Sequence, residues 1–290
     1  MMIKLGEDCP LDLNATLGCG QAFRWNKTGR WWVGVVEKKV IRIRQEQNAL
    51  EFFGADTETV KQYLGLDENL PEILSQLNKD KNINSAIKAF AGLRILRQDP
   101  GECLISYICA TYKNVQAIKH MIANLSERFG ERMAFEGSHY FVFPTMEKFA
   151  DAKVTYLAEC GLGYRSEYVS STARTIRDDG IGLDRLGRMS YEKAKEELLC
   201  FAGVGLKVAD CVLLFSLGKS EAFPIDVQVK RALLRYYVSQ FPEDFVRRIS
   251  CKRSLTNAEY NVLNSFGRTY FGKYAGYAQE YMYHYERTQV

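Results

Sequence analysis

Between about residues 10 and 54 the chain alternates apolar and polar side chains. Trp31-Trp-Val-Gly-Val-Val36 and Val40-Ile-Arg-Ile-Arg44 have the two-residue period of half-buried antiparallel strands. Lys27-Thr-Gly and Glu37-Lys-Lys supply turns between them. The period then changes. Thr57 to Leu64 has helical spacing, and Ile83 to Ile95, with Ile87, Phe90, Ala91 and Leu93, predicts a helix leading into the rest of the chain. From Pro100 onward nearly every segment keeps helical periodicity, broken at Gly130, Pro144, Gly161, Gly180, Gly203 and Gly218. The pattern predicts an α+β chain. An N-terminal antiparallel β domain with flanking helices covers residues 1–95, and a helical domain covers 96–290. No internal repeat or low-complexity linker separates them, so the two are expected to pack tightly around a cleft.

Composition narrows this only slightly. A chain of 290 residues has ample core. Its formal charge is only +4, so contact with nucleic acid would have to come from a local basic face. Lys207, Lys219, Lys230, Arg231, Arg235, Arg247, Arg248, Lys252 and Arg253 concentrate positive charge in the second half. The N-terminal stretch Met1 to Asp8 is promptly charged and unlike a signal peptide, and no apolar run approaches the roughly 20 residues of a membrane span. A soluble, cytoplasmic monomer is expected, on the nucleoid if the source is prokaryotic. The eight cysteines form no Cys-x-x-Cys pair, which argues against zinc and for reduced, buried thiols.

The chemistry concentrates in Leu199-Cys-Phe-Ala-Gly-Val-Gly-Leu-Lys-Val-Ala-Asp-Cys211 and Phe223-Pro-Ile-Asp-Val-Gln-Val229. Ser190 is a good N-cap for a helix through Leu199, and helical spacing resumes from Leu206 to Leu217. Gly203 and Gly205 therefore lie in a short turn joining two helices of a hairpin over about 190–218. The second helix presents unpaired N–H groups and a positive dipole end to a phosphate. Such a turn is common and by itself usually carries no ligand. Lys207, one residue into that helix, changes the reading. A lysine acts as a nucleophile only when neutral, which needs burial or nearby positive charge. The helix N-terminus and the apolar Val204, Leu206 and Val208 provide both. Asp226 is placed as the N-cap of a third helix, since Pro224 biases Phe223 away from helix. N–H donors there would hold its carboxylate ionised, ready to stabilise a cationic sugar.

This segment closely resembles the helix-hairpin-helix, Gly/Pro-Asp superfamily of DNA glycosylases, and within it the 8-oxoguanine DNA glycosylase/AP lyases. The family turn Leu-Pro-Gly-Val-Gly-x-Lys reads here Phe201-Ala-Gly-Val-Gly-Leu-Lys207. Further resemblances follow in family order: Gly20-Gln-Ala-Phe-Arg-Trp25, Arg97 through Cys109, Gly161-Leu-Gly-Tyr-Arg-Ser-Glu-Tyr-Val169 and Tyr274-Ala-Gly-Tyr-Ala-Gln279. The resemblance implies a TATA-binding-protein-like sheet packed on an all-helical catalytic domain. It also implies double-stranded DNA containing 8-oxoguanine as partner, excision through a lysine Schiff base, and β-elimination.

Site residues carry over by position. Lys207 and Asp226 are the catalytic pair. Gly20 offers its carbonyl to N7–H of 8-oxoguanine, and Gln279 reads the Watson–Crick edge. Cys211 and Tyr283 would sandwich the base, with Phe215 on the same helix as Cys211. Tyr164 and Arg165 form the wedge loop, and Gly203, Val204, Gly205, Gln228 and Tyr112 are expected to contact DNA. The carbonyls of Leu199, Phe201 and Val204 match positions that hold a structural cation. No cofactor is needed for catalysis. A single cysteine after Cys211 excludes the iron–sulfur subfamily. The chain departs from eukaryotic members at Tyr112, Ala117, Gln228 and Glu286, where they have asparagine, arginine, histidine and aspartate. Those changes put recognition of the opposite base in doubt. Two other readings remain: an alkyl-purine glycosylase, which usually lacks the lysine, and a non-catalytic helix-hairpin-helix DNA-binding protein.

Overall fold

The structure, a computed structural model, describes residues 1–6 and 8–289. Five strands, β1 (Met2–Lys4), β2 (Asn26–Thr28), β3 (Trp31–Val36), β4 (Lys39–Glu46) and β5 (Ala49–Phe53), form an antiparallel sheet in the order β1-β5-β4-β3-β2. The tight turn after β3 requires Glu37 to adopt a positive φ of 52°, and the turn after β2 is made by Gly29 at 59°. The period-two pattern decides the faces. Trp32, Ile41, Ile43, Leu50 and Phe52 are buried inward. Trp31, Arg42, Arg44 and Phe53 lie outward, with both guanidinium groups 4.5 Å from the Trp31 ring centroid.

Helices make up most of the rest. The segment expected to be wholly extended contains a helix, Leu13–Gly18, because Asp12 caps it by accepting from the Ala15 N–H at 2.9 Å. Residues Gly20 to Trp25, expected as a strand, are irregular. The helix expected over Ile83–Ile95 runs Lys81–Ala89 and stops early. Gly92 explains the stop: its φ is +101°, and a Cβ there would lie 2.6 Å from the Asp12 nitrogen. Its carbonyl accepts the Asp12 N–H at 2.8 Å, so the chain must turn off as an extended strap. The second half is helical with one departure, a hairpin of β6 (Arg132–Phe135) and β7 (Ser138–Phe141). Glu136 and Gly137, at φ 47° and 76°, form the two-residue turn that such hairpins demand.

The hydrophobic core has two parts. One lies under the sheet, around Ile41, Ile43, Leu50 and Phe52. The larger fills the helical half and reaches back to Cys19, Phe23, Leu70, Leu77 and Ile83. The helices Leu70–Leu77 and Lys81–Ala89 thus pack with the later helices, although both precede residue 95 in sequence.

Candidate active site

The hairpin forms where the spacing places it. Ser190 caps the helix Tyr191–Leu199, and the next helix spans Leu206–Phe215. Gly203 has a φ of +80°, and a Cβ there would meet the Tyr168 side chain at 2.8 Å, so both conformation and space exclude a side chain. Gly205 is extended, and nothing lies within 4 Å of where its Cβ would be. The helix behind it has no side-chain cap, which leaves its first N–H groups facing open space. The Phe201 carbonyl accepts the Val204 N–H at 3.1 Å. Among the described residues no three His, Cys, Asp or Glu side chains gather to hold a metal, so a cation at this turn would rest on backbone carbonyls.

Helical geometry then aims three side chains in one direction. Lys207, Cys211 and Phe215 are spaced four apart on the helix Leu206–Phe215, so they share a face. All three line a cavity of about 110 Å³ together with Gly20, Asp226, Gln279 and Tyr283. The sequence-predicted catalytic and pocket residues therefore converge, although they come from four separate regions of the chain. The Lys207 ammonium lies 5.0 Å from the Tyr107 ring centroid, and Tyr107 stacks on Phe215 with centroids 5.7 Å apart. Asp226 caps the helix Val227–Tyr236, accepting from the Val229 N–H at 2.8 Å. Burial pushes its carboxyl above the ordinary value, while the Val229 N–H and the Lys207 ammonium pull the other way. The N–H donors thus favour the ionised form as expected, but burial outweighs them. Burial raises the Cys211 thiol to about 12, so it is a neutral surface for a base to lie on.

The opposite wall is fixed by buried polar bonds. Gln21 donates to the carbonyls of Thr16 at 3.0 Å and Arg94 at 2.8 Å, and accepts from the Leu96 N–H at 2.8 Å. Its own carbonyl receives Gln98 at 2.8 Å and the Tyr107 hydroxyl at 3.1 Å. Gly20, held beside it at φ +108°, would place a Cβ 3.2 Å from Arg287 and 3.5 Å from the Tyr283 hydroxyl. A side chain there would fill the cavity. The Gln279 Oε1 is buried with no hydrogen-bond partner among the described residues. A buried acceptor left open in a cavity wall is poised for a ligand.

Comparison with known proteins decides the family. Residues 105–249 match the model of the HhH-GPD superfamily base excision DNA repair proteins, and residues 3–104 match the N-terminal domain of 8-oxoguanine DNA glycosylase. The chain belongs to the HhH-GPD superfamily. An N-glycosylase/DNA lyase of Saccharomyces cerevisiae is 33% identical over 93% of this chain and 81% of its own length. The N-glycosylase/DNA lyase OGG1 of Arabidopsis thaliana is 27% identical over 94% and 76%. The 8-oxoguanine glycosylase/lyase of Clostridium acetobutylicum, solved with double-stranded DNA containing cytosine opposite 8-oxoG, superposes with a TM-score of 0.88 at 29% identity. That match covers 100% of this chain and 98% of that one.

In this HhH-GPD chain the cavity opens into a groove of about 1060 Å³, lined by Tyr112, Gly203, Gly205, Gln228, Arg253 and Arg287 among others. Tyr112 is 79% exposed at a strained φ of +55°, bonded through its hydroxyl to Ser254 at 3.2 Å. Tyr164 is exposed and packs edge-on to Tyr168, the residue seated on Gly203. Arg165 departs from expectation. It is buried, donating to the carbonyls of Thr111 and Leu162, and so braces the loop that carries Tyr112 instead of reaching outward. The expected basic face is also thinner than the count of cations suggested. Lys219 is spent on the carbonyls of Gly187 and Met189, and Lys230 is buried against that of Ile249. Lys252, Arg247 and Arg248 pair with acids. Glu286 pairs with Arg235 at 3.1 Å, leaving Gln228 to accept from Arg231. Cys9, Cys200 and Cys251 are not buried, contrary to the expectation for the thiols. Among the described residues no helix is long and apolar enough to cross a membrane. Sequence reasoning missed Tyr107 and Glu280 in the cavity wall. The single acid in the otherwise uncharged run Ala275–Met282 was the available signal for the second.

Proposed function

We propose that this protein is a bifunctional base-excision repair enzyme that removes 8-oxoguanine from duplex DNA and then nicks the strand. The observation that supports this best is the convergence of Lys207 and Asp226 on a cavity walled by Gly20, Cys211, Phe215, Gln279 and Tyr283. Duplex DNA lies along the groove, its phosphates against the hairpin turn Gly203-Val204-Gly205. Tyr112 and Tyr164 occupy the space vacated by the extruded base. Carbonyls of Leu199, Phe201 and Val204 would hold a structural cation between turn and phosphate, and no cofactor enters the chemistry.

Lys207, once its Nζ has given up a proton to solvent, attacks the sugar C1′, and the bond from C1′ to the base nitrogen breaks with the electron pair leaving on the base. Asp226 stabilises the positive charge that develops on the sugar. The sugar ring opens to an imine on Lys207. Loss of a proton from C2′ then expels the 3′ phosphate, which is the β-elimination step. Water hydrolyses the imine and frees the lysine.

Borohydride tests this by reducing the imine to a stable amine link. Duplexes containing 8-oxoguanine, guanine or an alkylated purine are incubated with enzyme and borohydride. The reading requires a covalent adduct and strand nicking with 8-oxoguanine, and neither with guanine. Release of the alkylated purine without an adduct or nick, and no reaction with 8-oxoguanine, would instead favour the alkyl-purine reading.

A further inference from the structure

Glu280 follows Gln279 on the helix Ala275–Thr288 and is 2% exposed. It lines the same cavity as Gly20, Lys207, Asp226 and Gln279. Its Oε1 is buried and has no hydrogen-bond partner among the described residues. Carboxylates are almost never buried unless paired, so an unpartnered oxygen on a residue of the cavity wall calls for a missing partner.

Its neighbours come from every wall. The Cys19 thiol faces it from the end of the helix Leu13–Gly18, and Tyr107 from the helix Pro100–Cys109. Cys211 faces it from the helix Leu206–Phe215, Asp226 from the next helix cap, and Tyr283 and Arg287 from its own helix. Two of these carry charge. Asp226 opposes ionisation and Arg287 favours it, but Arg287 is committed to the Cys19 carbonyl at 2.6 Å and forms no ion pair with Glu280. Burial, reinforced by Asp226, outweighs the Cys19 thiol hydrogen-bonded to the carboxyl and Arg287, and pushes the carboxyl up to about 7. The neutral acid therefore predominates below neutrality. It then offers one O–H donor from the wall of the cavity that Gly20 also lines.

We propose that Glu280 is a further base-contacting residue, its free carboxyl oxygen donating a hydrogen bond to a carbonyl oxygen of the oxidised purine held in the cavity. This rests on the cavity being the lesion pocket. An oxidised purine carries a carbonyl that normal guanine lacks, so the contact favours the lesion.

The test is binding of the full chain to a duplex carrying a non-cleavable 2′-fluoro 8-oxoguanine nucleotide, relative to the undamaged duplex, at pH 6 and pH 8. Wild type should bind the lesion about tenfold more weakly at pH 8, because the donor is lost as the carboxyl ionises. Glu280→Gln keeps a neutral donor that does not titrate, so its lesion preference should be flat with pH and close to the wild type at pH 6. Glu280→Ala should be about tenfold weaker at pH 6 and also flat. Melting curves check that both variants fold. A wild-type preference that does not change with pH, or an Ala variant equal to the wild type at pH 6, overturns the proposal. Excision of ordinary 8-oxoguanine by wild type is the control. An inert wild type overturns the functional reading and the proposal with it, whereas an active wild type sharing one pH profile with both variants overturns the proposal alone.

Discussion

The helix Leu206–Phe215 has two polar faces that treat their charges in opposite ways. On one, Asp210 is fully buried and saturated. It accepts from Lys195 at 2.9 Å, the Tyr260 hydroxyl at 2.6 Å, Asn264 at 3.0 Å and the Tyr191 hydroxyl. On the other, Lys207 and Asp226 line one cavity, and Gln279 and Glu280 each keep a buried oxygen without a partner among the described residues. A saturated network has nothing left to offer a ligand and serves the fold. An unsaturated one costs stability until something binds. On this one helix the contrast sets a polar cluster that is complete without a ligand apart from the residues that line the cavity.

The largest effect should come from the saturated face. Asp210→Ala leaves the half-buried Lys195 without its counter-charge and the buried Tyr191, Tyr260 and Asn264 without their acceptor, and should lower stability by about 3–5 kcal/mol. Denaturant unfolding measures it, and folded protein should still excise at near the wild-type rate. Slow excision by a fully stable variant would erase the distinction between the faces.

Asp226→Asn should do the reverse. It keeps a cap for Val229 but removes the charge, so single-turnover excision should fall about 100–1,000-fold. The sign for stability follows from its raised carboxyl. A group whose folded value lies above its unfolded one contributes stability at low pH and loses it as pH rises, so at neutral pH the ionised Asp226 costs stability. The Asn variant should therefore melt at or above the wild-type temperature at pH 7, and the gap should close as pH falls. Unchanged excision would reduce Asp226 to a cap.

Gln279→Ala removes one of the open cavity groups and should weaken 8-oxoguanine excision by about 1–3 kcal/mol. A wild-type rate would move base recognition elsewhere. The smallest effect concerns the opposite strand. Ala117 has no donor, Tyr112 offers one hydroxyl, and Arg165 is occupied by Thr111 and Leu162. Discrimination by a bidentate contact is worth about 1–3 kcal/mol, so without one the four opposite bases should be cut within about tenfold of each other. A cytosine preference of about a hundredfold would mean that another side chain reads it.

The reactive face was more legible in the sequence than the saturated one. Lys207, Cys211 and Phe215 announce a common face by spacing, and the Asp226 cap follows from the proline before it. The Asp210 cluster joins Tyr191, Lys195, Tyr260 and Asn264, and no local spacing foretells that meeting. Arg165 misled for the same reason, since its inward turn depends on a carbonyl at Thr111. The hairpin β6–β7 was overlooked although Glu136-Gly137 is a readable turn, because its short strands sit among helices. The early end of the helix Lys81–Ala89 depends on Gly92 meeting Asp12, a contact across the fold.

The central claim is that the unsaturated face carries the chemistry, and two lysines test it most directly. Lys207→Gln and Lys195→Gln are each incubated with an 8-oxoguanine duplex and borohydride, and covalent adduct is measured per folded protein. Lys207→Gln should give no adduct while still binding duplex, and Lys195→Gln should give adduct at the wild-type yield. An adduct at wild-type yield from Lys207→Gln would contradict the account.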